Sequence, residues 1–299
     1  MNAGAKHDNK RRRMLRTVFS RPSDEASTAD YYSPVLAGPE TLLRAASGAG
    51  VVRDVLGVLA KLEPDDYTRY LTDYYGAGLS RFGEGWHYAD ICTVLHAAAR
   101  LAEPKTYLEI GVRRGRSMAM VAEIAKDARL VGFDMWMENY AGMPNPGADF
   151  VRSEIARVGH RGSIELISGD SHVTVPRFLE ENPDLTFDII TVDGDHSHDG
   201  ALADLRTVIP RLSLGGILVF DDIVHPLHPY LVDVWRSAVA EDGGLSAGEY
   251  AELGYGVAFA VRTRPSRERA PFAKEAARAV RSRLRAVGQA IGRIPRPSR

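Results

Sequence analysis

The stretch Asp188–Ile223, DIITVDGDHSHDGALADLRTVIPRLSLGGILVFDDI, decides the fold class. Its runs Ile189 to Val192 and Ile217 to Phe220 are short, apolar and partly β-branched, with DGDHSHDG and LSLGG as breakers, which is how buried parallel strands read. Ala201 to Leu212, between them, has helical spacing. A strand, helix, strand unit brings both strand ends to one sheet edge, and ligands of open α/β sheets bind in the crevice outside that edge. Asp193, Asp221 and Asp222 terminate the two strands and are candidates for one shared metal site.

Working upstream, TYLEIGVRRGRS (Thr106 to Ser117) runs from a strand, Thr106 to Ile110, through a glycine turn into a helix starting near Ser117. Gly111 and Gly115 give E-x-G-x-x-x-G instead of the G-x-G-x-x-G of a dinucleotide site, and no phosphate-binding lysine follows. Arg113 and Arg114 in this turn could meet a cofactor carboxylate or face solvent. A second strand, Arg129 to Phe133, ends in Asp134, 25 residues after Glu109, where an acid can accept both hydroxyls of a ribose. Met135 and Trp136 follow it, beside an adenosine. A third strand, Ser163 to Ile167, ends in Gly-Asp-Ser, placing Asp170 and Ser171 to address an adenine or to form an ordinary turn.

These residues resemble the class I S-adenosylmethionine-dependent methyltransferases, over about Tyr107 to Val261. The resemblance implies a Rossmann-like α/β fold, a seven-stranded, mostly parallel sheet with its last strand antiparallel, and S-adenosyl-L-methionine held by Glu109, Gly111, Gly115, Ser117, Asp134, Met135, Asp170 and Ser171. Within that group, VDGDHSHDG followed by GGILVFDD resembles the metal-dependent sugar O-methyltransferases of the macrocin type, and also the catechol type. The spacings of 28 and 29 residues from Asp193 to Asp221 and Asp222 suit that family's magnesium triad, and His196 falls where its catalytic base is expected.

Chemistry supports the same assignment. Methyl transfer from a sulfonium needs an oxygen lone pair in line with the methyl carbon, and a hydroxyl is a poor nucleophile. Mg2+ prefers hard oxygens, keeps room for substrate oxygens, and acts as Lewis acid and template. An imidazole titrating near neutrality can take the proton, with His196 first, His198 second and Asp195 as orienter. Each aspartate could instead be an N-cap, and Glu109 could cap a helix.

At 299 residues and 44% hydrophobic, the chain can bury a sizeable core. Its single cysteine, Cys92, excludes an internal disulfide and reads as a small buried apolar residue. With no signal-like or membrane-length apolar run, a cytoplasmic protein is expected, with a peripheral membrane position as the alternative. Residues 1–30 form a basic, disordered tail, 31–103 an N-terminal helical cap, 104–262 the methyltransferase core and 263–299 a basic amphipathic tail. Formal charge is +3 over 1–30, −14 over 31–261 and +10 over 262–299. Ala276, Val280, Leu284, Val287 and Ile291 share one face of the last segment, which could contact an anionic membrane, a partner or the acidic body. The acidic body argues against nucleic acid.

In the cap, Glu40 to Leu62, Tyr67 to Tyr75 and Tyr88 to Leu101 read as helices, with Phe82, Trp86 and His87 placed to close over the site or, for Trp86, to fill the core. The loop Met135 to Asp149 is long enough to carry part of a lid, from Tyr140 to Pro146. Pro229 to Ala240 suggests a crossover helix and Tyr250 to Val261 a hairpin turning near Gly254 and Gly256. The expected protein is a magnesium-dependent O-methyltransferase acting on a small-molecule or glycoconjugate hydroxyl, assembled as a homo-oligomer. The alternatives are a metal-independent methyltransferase and a non-catalytic scaffold of the same fold.

Overall fold

The computed structural model describes residues 36–139 and 142–265. The expected tail at 1–30, nearly all of the basic C-terminal segment, and Tyr140 and Ala141 of the expected lid lie outside the described residues. Four helices come first: α1 (Pro39–Ala46), α2 (Ala49–Leu59), α3 (Asp66–Phe82) and α4 (Ile91–Ala102). The apolar run from Glu40 to Leu62 is therefore two helices. Ser47 and Gly48 divide it, Ser47 being the C-cap of α1 and Gly48 the extended N-cap of α2. Asp65 caps α3 by accepting the Thr68 N–H, and Asp90 and Thr93 form a capping box on α4.

Strands and helices then alternate: β1 (Thr106–Ile110), α5 (Arg116–Ile124), β2 (Arg129–Asp134), α6 (Ala148–Arg157), β3 (Ile164–Ser168), α7 (Ser171–Glu181), β4 (Phe187–Val192), α8 (His198–Val208), β5 (Leu212–Asp221), α9 (Leu231–Asp242), β6 (Leu245–Tyr250) and β7 (Val257–Arg262). The sheet order is β3-β2-β1-β4-β5-β7-β6. Strands β1 to β5 pair in parallel, and β7 is antiparallel to both β5 and β6. This is the seven-stranded, mostly parallel α/β sheet expected from the sequence, with β7 antiparallel to its neighbours.

Two element boundaries differ from expectation. The crossover before β5 ends at Val208, and Leu212, expected in the helix, opens a ten-residue strand. The hairpin begins at Leu245, well before Tyr250. Its first strand, LSAGEY, is half-buried at the sheet edge and lacks an apolar run.

Side-chain alternation divides the interior into two layers. Tyr107, Ile189, Ile217 and Val219 face one core with α2, α4 and α5, whereas Leu108, Ile110, Ile190, Leu218 and Phe220 face the other with α7, α8 and α9. The N-terminal helices thus form one layer of the sandwich, with Val94, Leu95, Ala98 and Ala99 of α4 fully buried. Burying a leucine of this kind contributes about 1.5–3 kcal/mol. Trp86, 6% exposed, packs on Tyr88 and fills the space over Gly78, where a Cβ would meet its ring at 2.1 Å. Cys92 is buried, as its type suggests.

Candidate active site

The carboxyl ends of β1, β2, β4 and β5 converge on one edge. The turn after β1 is held from both sides: Gly111 donates its N–H to Phe133 O at 2.9 Å, and Asp193 donates its N–H to Ile110 O at 2.9 Å. Gly111 has φ +89° and Gly115 φ +75°, conformations that favour glycine, and a Cβ on Gly115 would press to 2.9 Å from Val151. Gly115 then serves as N-cap of α5.

Glu109 lies beneath this turn, fully buried. It accepts hydrogen bonds from the Ser117 hydroxyl and, at 3.1 Å, from the Tyr107 hydroxyl. Burial pushes its carboxyl up to about 8, against the opposing pull of those two hydroxyls. Glu109 and Ser117, both expected at the cofactor, thus form a buried brace for the turn. Asp134 stands at the edge itself: Oδ2 accepts the Arg113 N–H and Oδ1 the Trp136 N–H, each at 2.6 Å. Each oxygen keeps a lone pair for a further donor. Met135 is 59% exposed at the same edge, and the Trp136 indole donates to Ser168 Oγ at 2.9 Å.

After β3, Asp170 is the N-cap of α7 and accepts the His172 N–H at 2.9 Å. Arg114 and Arg116 turn to Asp65, with N–O separations of 3.1 Å each, and lie over the Phe150 and Tyr67 rings. This contact between α3 and the glycine turn has no local sequence signal, since its partners are some 50 residues apart.

Asp193, His196 and Asp222 bring one ligand atom each to within 4.8 Å of one another. His196 Nε2 lies 3.2 Å from Asp193 Oδ1 and 3.9 Å from Asp222 Oδ2. The hydrogen bond to Asp193 raises the imidazole above its ordinary value, against the effect of burial. Burial and then the Asp193 charge push Asp222 up to about 7. Asp222 adopts φ 60°, a left-handed conformation rare outside glycine, directly at the end of β5.

Asp221 is not in that group of three. One residue past Phe220, alternation turns it to the side of the N-terminal helices, where it acts electrostatically on Tyr67 and Cys92. Burial pushes its carboxyl well above the usual carboxylate range, and the Asp222 and Asp193 charges add to this. Asp195, expected to orient a histidine, accepts the Ser197 N–H at 2.8 Å. His198 points to Asp199, 2.9 Å away.

Tyr230 had no place in the sequence reading. Its hydroxyl donates to His196 O at 2.9 Å and shares a 3.1 Å hydrogen bond with His228 Nδ1, and the His228 ring lies 5.4 Å from that of His196. Its separation of 34 residues from His196 left no motif to find it by.

The donor set suits a divalent cation in part by chemistry and in part by spacing. Asp193 and Asp222 supply the hard oxygens that Mg2+ prefers, and the imidazole nitrogen is better matched to carrying a proton. Among the described residues, no helix is long and apolar enough to cross a membrane.

Residues 108–223 match the family model described as "Methyltransferase domain". No curated protein matches the chain. Among solved structures, CalS11, a calicheamicin methyltransferase, is 21% identical with a TM-score of 0.47, covering 80% of this chain and 99% of its own. The O-methyltransferase TomG from Streptomyces achromogenes, involved in tomaymycin synthesis, is also 21% identical with a TM-score of 0.47, over 68% of this chain and 92% of its own. The family match at residues 108–223 spans β1 to β5 of the seven-stranded sheet, so this part of the chain is similar to a methyltransferase domain.

Proposed function

We propose that the protein is an S-adenosylmethionine-dependent O-methyltransferase, assisted by a divalent cation, that methylates a hydroxyl of a sugar or glycoconjugate. The observation that carries this reading is the convergence of Asp193, His196 and Asp222 on one point, beside a glycine turn that abuts Asp193 itself. The sugar class rests on the resemblance of VDGDHSHDG and GGILVFDD to the macrocin type.

In this reading Asp134 uses its remaining lone pairs for the ribose hydroxyls, Met135 lies beside the adenosine, and Asp170 and Ser171 border the adenine. Gly111 and Gly115 give the cofactor close access to the backbone. Asp193 and Asp222 would hold the cation. When bound, the cation supplies Lewis-acid polarisation and a template for acceptor oxygens. His196 Nε2 would take the proton of the acceptor hydroxyl, and S-adenosylmethionine held in the crevice would supply the methyl group. Tyr230 fixes the His196 backbone while this happens.

A metal-free variant of the reaction draws support from the existing His196–Asp193 hydrogen bond, a dyad able to accept a proton unaided. Calorimetric titration of S-adenosylmethionine and S-adenosylhomocysteine into chelator-treated protein, repeated with Mg2+, tests both. Cofactor binding together with a cation site lost in Asp222→Ala is expected. Cofactor binding without a cation site would favour the metal-free variant, and absence of cofactor binding would favour a scaffold role for the fold.

A further inference from the structure

His172, the second residue of α7, bridges two loops that the reaction uses separately. Its Nδ1 lies 3.3 Å from Asp170 Oδ1, on the segment after β3. Its Nε2 lies 3.3 Å from Gly200 O, 3.6 Å from Asp204 Oδ1 and 3.9 Å from Asp195 Oδ2, all on the β4–α8 segment that carries Asp193 and His196.

Asp204 completes the bridge. It is 2% exposed on α8, its Oδ1 lies 3.6 Å from His172 Nε2, Ser171 and the Asp195 backbone favour its charged form, and among the described residues its Oδ2 has no hydrogen-bond partner. Burial pushes its carboxyl up to about 6. Withdrawing a carboxylate from water in this way disfavours its charged form. The loop it holds has little freedom: Asp195 accepts the Ser197 N–H, the Ser197 hydroxyl accepts the Gly200 N–H at 3.2 Å, and a Cβ on Gly200 would stand 1.9 Å from Asp195 Oδ2.

We propose that His172 and Asp204 couple the cofactor crevice to the cation site, so that S-adenosyl ligands tighten divalent-cation binding at Asp193 and Asp222, and the cation tightens theirs by the same factor. The inference rests on the cation-assisted reading above. Its basis is that the Asp170–Ser171 segment and residues 193–200 are ordered by the same two side chains. A ligand that immobilises one segment lowers the entropic cost of immobilising the other, and such coupling is reciprocal. His172 and Asp204 are positioning residues in this scheme and touch neither ligand.

The test is calorimetric titration of Mn2+ into the full chain, with and without saturating S-adenosylhomocysteine, for the wild type, His172→Gln and Asp204→Asn. The wild-type dissociation constant is expected to fall by about five-fold or more with the ligand present. In both variants the ratio falls towards one, even where the separate affinities are little changed. A role confined to stability would shift melting temperature and leave the ratio intact. A wild-type ratio of one, or a ratio preserved in both variants, overturns the coupling alone. Absence of Mn2+ binding with or without the ligand overturns the cation-assisted reading and the coupling with it.

Discussion

Gly111 lies against the Asp193 carbonyl so closely that a Cβ on it would stand 1.9 Å from the oxygen. The glycine turn proposed to receive the cofactor and the loop that carries the candidate cation ligand are therefore one packed unit. Gly111→Ala adds that clash to a φ of +89°. The expected loss is about 3 kcal/mol or more, with weakened binding of S-adenosylhomocysteine. Gly57→Ala is the control, because that helical glycine in α2 has nothing within 4 Å of its Cβ and should gain about 0.5–1 kcal/mol. Urea denaturation of the two variants should move the midpoint in opposite directions.

His196 should be harder to deprotonate than an ordinary histidine in the cation-free protein, because its hydrogen bond to Asp193 stabilises the imidazolium. Asp193→Asn removes the largest contribution and leaves burial acting to lower the value, so the titration midpoint moves down. NMR titration of the His196 ring protons in chelator checks this. An unchanged or higher midpoint in the variant would contradict the dyad.

Glu109 should make stability depend on pH with a negative slope. Its folded value of about 8 lies above the 4.5 of an ordinary glutamate, so between those limits the folded chain holds a proton that the unfolded chain has released. The stability is fully present below about pH 4.5 and is lost as pH rises through about 8. Asp222 and Asp204 add in the same sense. Glu109→Gln should flatten the slope of melting temperature between about pH 5.5 and 7.5 in chelator, a range within the window that Glu109 sets. Parallel slopes for wild type and variant would remove Glu109 as the cause.

The legible and illegible parts of the molecule divide on physical lines. Asp188–Ile223 could be read because buried parallel strands are continuous apolar runs and their breakers are strong. The adjacent pair Asp221–Asp222 could be placed at the sheet edge, but not told apart. Alternation sends Asp221 toward the N-terminal helices, and the left-handed turn at Asp222 brings that residue to Asp193 and His196. The first hairpin strand reads too late, at Tyr250 instead of Leu245, because an edge strand containing Gly248 and Glu249 need not be apolar. His172, Asp204 and Tyr230 act through contacts made only once three loops meet, which no spacing encodes.

Asp65 ties α3 to the glycine turn, and this link should govern how firmly the N-terminal helices sit beside the cofactor. Its side chain and those of Arg114 and Arg116 are only 11%, 11% and 14% exposed. Burial alone would raise its carboxyl, but the Thr68 hydrogen bonds and the Arg116 and Arg114 charges outweigh this and leave it below the usual range. Asp65→Asn keeps an N-cap acceptor for Thr68 and removes the charge between two arginines, whereas Asp65→Ala removes both. The alanine variant is expected to lose about 2–4 kcal/mol and the asparagine variant about 1 kcal/mol less, the difference being the cap. Hydrogen exchange should then quicken in the first turns of α3 in both variants, with protection of β4 and β5 unchanged in the asparagine variant. Since Arg114 and Arg116 flank Gly115, S-adenosylhomocysteine affinity should fall in both as well. Faster exchange with cofactor affinity intact would show that α3 and the glycine turn are packed together without being functionally linked.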